Sequence, residues 1–262
     1  MNPNFERDSL MAVFYSKRVW LINVIANALL FALFFYWLQI QEDTGAWFAA
    51  TLIIGLLIVF VALLVHGATF DYFRARTEPS LVSRMRRIVP RVPVLLAWAV
   101  AFGVALWLLA QLWDYTAQAG GWARHALPGL LRGRVSPRSV ISAASGLVWF
   151  AIFFLIPIIF LPIGSRIASF GLRGVFSREA WKPVRELRFW GLYAICFLAG
   201  AYLPYRLAYM TPSKASPLSV QGWSMVMRLG IGYLLFITAW ITLCAAIARA
   251  TRDPETAVRA NG

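Results

Sequence analysis

Arg84-Met85-Arg86-Arg87-Ile88-Val89-Pro90-Arg91 stands between two long apolar runs, and the reading of this stretch decides the fold. The run before it covers residues 46–69 and the run after it residues 92–113. Each is long enough to cross a hydrocarbon core of about 30 Å as a helix. The arginines between them therefore belong to a short loop at one membrane face. A looser counterpart runs from Arg166 to Arg188.

The basic stretch has its own local pattern. Thr77-Glu78-Pro79 reads as a helix start, with Thr as cap, a carboxylate in the first turn and Pro at an early position. Leu81, Met85 and Ile88 follow at i, i+4 and i+7, which puts them on one face. Arg84, Arg86, Arg87 and Arg91 point elsewhere. The spacing predicts a short amphipathic helix on the membrane surface, with these four arginines toward anionic lipid. Pro90 and Pro93 are expected to end it and start the next span.

The rest of the chain repeats the pattern of apolar run and polar loop. Of 262 residues, 60% are hydrophobic and only 14% charged, against about 25% charged in ordinary soluble domains. The mean hydropathy is +0.67. Spans are predicted at about 19–40, 46–69, 92–113, 140–163, 189–208 and 222–248. The fold class is all-α: a polytopic transmembrane bundle of six helices with short interfacial amphipathic helices, in one integral membrane domain over 1–262. Residues 10–15 form a further surface-helix candidate. The first span is too long for a signal-peptide core and reads as a retained anchor. The start of the sixth is open: a helix from Leu229 places Arg228 at the headgroups, and one from near Val220 places it inside the span.

Charge distribution orients the bundle. Lys and Arg number three in the N-terminal segment, six after span two, six after span four and three in the tail, which is 18 of the 25. The other side carries seven: four in the long loop 115–138, Arg206 and Lys214 at and after the end of span five, and Arg228. The positive-inside rule then puts both termini in the cytoplasm. The net charge of +14 is explained by topology, and nucleic acid is not an expected partner. Similar segments at 74–79, 177–183 and 249–255 suggest three hairpins, each ending in a basic turn.

Few residues offer chemistry. Asn23 and Asn27 share one face of the first span at i, i+4 and are candidates for intramembrane polar contact. His66, near the end of the second span, has only Asp71 as a nearby ligand type, and reads as an interfacial histidine. Cys196 and Cys244 lie in apolar runs, which fits neither a disulfide framework nor a zinc site. The spans hold no carboxylate at mid-depth, which weighs against proton- or cation-coupled transport. No intramembrane-protease motif or phosphate loop is present, so no catalytic, metal-binding or cofactor-binding residue is assigned. Asp114, Arg206 and Arg228 gather toward the outer face, where two arginines beside Tyr205, Tyr209 and Trp223 could contact an anion or headgroup. The plainer reading is snorkelling arginines in an aromatic belt.

The layout, with Pro79-Ser80-Leu81, Arg86-Arg87, Pro90 and Trp98 leading into the third span, resembles several poorly characterised bacterial six-span membrane-domain families. Among them is the membrane domain found beside some glycerophosphodiester phosphodiesterases. The resemblance covers the layout and one short loop motif. It implies a bacterial membrane domain and carries no catalytic residue onto this chain.

Two functional readings follow. The first is a non-enzymatic membrane protein, namely a scaffold, accessory subunit or lipid-interacting module, with membrane lipids and a membrane protein or a second copy as partners. The alternative is a transporter or channel for an anionic or amphipathic solute that uses the outer-face arginines. An enzyme acting on lipid comes third.

Overall fold

The computed structural model describes residues 16–41, 43–74, 80–126, 128–129, 136–210 and 217–251. Outside them fall the surface-helix candidate at 10–15, the helix start at Thr77-Glu78-Pro79, Arg132 and Arg134 of the long loop, the linker 211–216 and the tail. The proposed repeat falls partly outside as well.

The described residues are helical and contain no strand. Six helices are long and apolar enough to cross a membrane: Lys17–Trp37, Gly45–Arg74, Leu81–Asp114, Pro137–Gly174, Leu187–Tyr209 and Leu218–Ala250. The chain is an all-α, multi-pass membrane protein by these helices. The α-helices, two of them lying between spans, are α1 (Lys17–Trp37), α2 (Gly45–Arg74), α3 (Leu81–Ile88), α4 (Val92–Asp114), α5 (Thr116–Ala126), α6 (Pro137–Phe150), α7 (Ile156–Phe170), α8 (Lys182–Arg185), α9 (Leu187–Phe197), α10 (Leu203–Tyr209) and α11 (Leu218–Ala250).

Local sequence explains the boundaries. Ser80 caps α3, its hydroxyl accepting from the Ser83 N–H at 3.3 Å. Ser136 caps α6 in the same way at 3.1 Å, and Pro137 takes the first helical position. Pro90 does not break the chain. It sits in a 3₁₀ turn, Val89–Arg91, which joins α3 directly to α4, because a missing N–H is harmless where a new helix begins. The long loop contains the eleven-residue helix α5.

Two π-helical segments have a common cause. Ala151–Leu155 precedes Pro157, and Leu198–Tyr202 precedes Pro204. Each segment contains the residue four before its proline, Phe153 and Gly200, whose carbonyl would meet the pyrrolidine ring in a regular α-helix. Widening the turn relieves that clash. At the end of α7, Gly171 adopts a φ of +62°, the left-handed stop that only glycine takes without strain.

Two compact units emerge, one of residues 1–96 and 162–262, the other of 97–161. The first is built around α11, which packs against α1, α2, α9, α10 and the π segment before α10. The most apolar window of α11 is 56% buried, against 11% to 28% for the other five spans, so it is the central helix. Its buried run Ala245-Ala246-Ile247-Ala248 is small enough for close backbone approach. The second unit packs α5 against α6, with Ser145 donating to Thr116 at 3.3 Å. There the Trp98 indole donates to the Phe160 carbonyl at 3.0 Å and stacks through Phe102 onto Phe160.

Candidate functional site

The amide expected on the first span finds its partner. Asn23 is fully buried and donates to Thr69 of α2 at 3.1 Å and to the Val19 carbonyl at 2.9 Å. Asn27, also buried, turns back to the Asn23 carbonyl at 2.8 Å. His66 accepts at Nδ1 from the Trp240 indole at 3.0 Å, which joins α2 to α11. Polar groups in the first unit thus close on one another from helix to helix.

The outer-face candidates fall in different units. Asp114 is exposed and lies in the second unit. Arg206, also exposed, stands on α10 beside Tyr205 and Tyr209, whose rings are 4.6 Å apart. Arg228 lies within the continuous α11, ten residues after its start at Leu218, or about 15 Å along the axis. Its Nε donates to the Ser224 carbonyl at 2.9 Å and its Nη1 to the Leu207 carbonyl of α10 at 3.4 Å. The side chain points back toward the helix start, as helical geometry favours, and two of its N–H groups meet backbone carbonyls.

The basic loop differs from expectation in one respect. Arg84 is not directed at lipid: it is 5% exposed and shares the buried face of α3 with Leu81 and Ile88. Its Nη1 lies 2.9 Å from Asp71 Oδ2 on α2. Once Asp71 is buried at the end of α2, it needs a cation, and Arg84 is the α3 residue at helical spacing from Leu81. Arg86 and Arg87 are exposed, while Arg91 is half-buried and donates to the Ala168 carbonyl.

A second arginine network, which includes Arg74 of α2, escaped the sequence reading. Arg74 donates to the Ser165 hydroxyl at 3.0 Å and also to Thr251. Arg166, 6% exposed, donates to the Thr251 carbonyl at 3.0 Å and lies 3.6 Å from Glu179. Both guanidinium groups stand over the Phe170 ring, at 5.4 Å and 4.3 Å. Ser177 donates to Glu179, and this bond, with Arg166 and Lys182 nearby, holds the carboxyl below its usual range. The network ties the ends of α2, α7 and α11 together. A signal was present in the sequence: Arg74 and Arg166 directly follow apolar runs, with Asp71 and Ser165 beside them.

An apolar groove of about 400 Å³ opens between α2 and α4. Ile53, Leu57, Phe60 and Leu63 form one wall, and Val92 and Leu96 the other. Among the described residues, no three His, Cys, Asp or Glu side chains group to hold a metal ion. Comparison with family models, with curated proteins and with solved structures found no match.

Proposed function

We propose that this chain is a non-enzymatic multi-pass protein of a bacterial inner membrane, a scaffold or accessory subunit that interacts with lipid. Both termini and the arginine-rich loops lie in the cytoplasm. The observation that carries the reading is the way buried polar groups are used. Asn23, Thr69, His66 and Trp240 tie helices to one another, and Arg228 directs two of its N–H groups to the Ser224 and Leu207 carbonyls. Groups that line a solute path must instead keep hydrogen-bonding capacity for the solute. The distribution of Lys and Arg supports the orientation. The short amphipathic α3, with Arg86 and Arg87 exposed, supports contact with anionic headgroups.

Two measurements on one preparation test this. Protein purified in mild detergent is analysed for retained lipid and protein, then reconstituted and assayed for uptake of phosphate and of glycerol phosphate. Retained anionic lipid or a stoichiometric membrane partner, without uptake above empty vesicles, is the expected result. Uptake that Arg228→Ala abolishes while the protein stays folded would establish a carrier and overturn the reading.

A further inference from the structure

The groove between α2 and α4 ends directly beneath α3. One turn beyond Leu63, a Cβ on Gly67 would lie 3.2 Å from Ile88 and 3.3 Å from Leu95, so the helices close together there. From that end the groove follows α2 from Leu63 to Ile53. Ten residues of helix rise about 15 Å, half of a hydrocarbon core of about 30 Å. The groove is therefore about as long as one leaflet is thick, and its Leu63 end is the end nearer α3.

Its lining chooses among occupants. Every lining residue is Ile, Leu, Val or Phe. A second helix packs best where small residues let backbones approach. This chain follows that rule elsewhere: Gly200 comes so close to α11 that a Cβ would lie 2.6 Å from Ala239, and Gly232 faces Pro204. The groove has no such residue, and its branched walls suit a flexible chain. Above its closed end, α3 contains no carboxylate, and Asp71, the acid against which α3 packs, is already paired with Arg84. Arg86 and Arg87 are exposed.

We infer that the groove holds one acyl chain of an anionic phospholipid from the leaflet on the α3 side, with Arg86 and Arg87 meeting its phosphate. This rests on the lipid-interacting reading above and gives it a place and a lipid class.

The test uses the full chain in nanodiscs of equal phosphatidylglycerol and phosphatidylcholine, with retained lipid counted by native mass spectrometry. The wild-type protein is expected to keep phosphatidylglycerol in preference. Arg86→Gln with Arg87→Gln touches only exposed side chains and leaves the bundle folded. It should lower the preference by about 30-fold, since each arginine near a surface contributes roughly a factor of five. Leu57→Trp with Leu63→Trp should fill the groove and remove the retained lipid whatever its headgroup. Wild-type protein that keeps no phosphatidylglycerol would contradict the lipid-interacting reading itself. Retention that is unchanged in both double variants would overturn the groove assignment alone. So would a cross-linked dimer formed through Leu57→Cys, which would put a second chain in the groove.

Discussion

Arg84 Nη1 lies 2.9 Å from Asp71 Oδ2, with side-chain exposures of 6% and 10%. The pair locks the basic helix α3 onto the end of α2. Removing one partner leaves a buried charge uncompensated, which costs on the order of 3 kcal/mol. Asp71→Asn and Arg84→Gln should each lower the Tm in mild detergent markedly, and the double variant should lose less than the two losses added together. Strict additivity in the melts would show that the pair is not coupled.

The Asn23–Thr69 bond should contribute modestly, because hydrogen bonds between membrane helices average about 0.6 kcal/mol. Thr69→Val and Asn23→Leu are expected to destabilise by about that much or somewhat more. A double-mutant cycle read by unfolding in detergent should show positive coupling. A cycle with no coupling would place the two residues apart.

Gly200 marks a close approach of the fifth span to α11. A methyl group there would stand 2.6 Å from the Ala239 Cβ, inside any real contact. Gly200→Ala should lower the Tm, and adding Ala239→Gly should recover much of the loss. If Ala239→Gly worsens Gly200→Ala, the two spans do not cross at this point.

The Glu179 carboxyl is held below its usual range by the Ser177 hydroxyl and by Arg166. A depressed carboxylate stabilises the fold above its unfolded pKa, and the stabilisation is lost as pH falls through the folded value. Stability is therefore expected to be flat near neutrality and to fall in acid below the ordinary carboxylate range. Glu179→Gln should shrink that acid loss. Melts across pH 3 to 7, roughly the window in which carboxylates titrate, check this, and an identical acid profile for the variant would contradict it.

The sequence made the six spans legible because each is a long apolar run whose length matches the bilayer. Arg84 was misread because its partner, Asp71, is thirteen residues away, and helical spacing alone does not show which face a neighbouring helix covers. The network of Arg74, Ser165, Arg166 and Thr251 was missed for the same reason: it joins residues up to 177 positions apart. The continuity of α11 through Arg228 could not be read either. The cost of burying that arginine depends on the Ser224 and Leu207 carbonyls, and the second belongs to another span.

The orientation of the arginine-rich loops underlies the whole account and can be measured directly. A paired phosphatase and fluorescent-protein reporter is fused after Gly262 and, in a separate chain, inserted at Gly120. The account predicts fluorescence without phosphatase activity at Gly262, and phosphatase activity without fluorescence at Gly120. The reverse pattern, or the same signal from both positions, would contradict it.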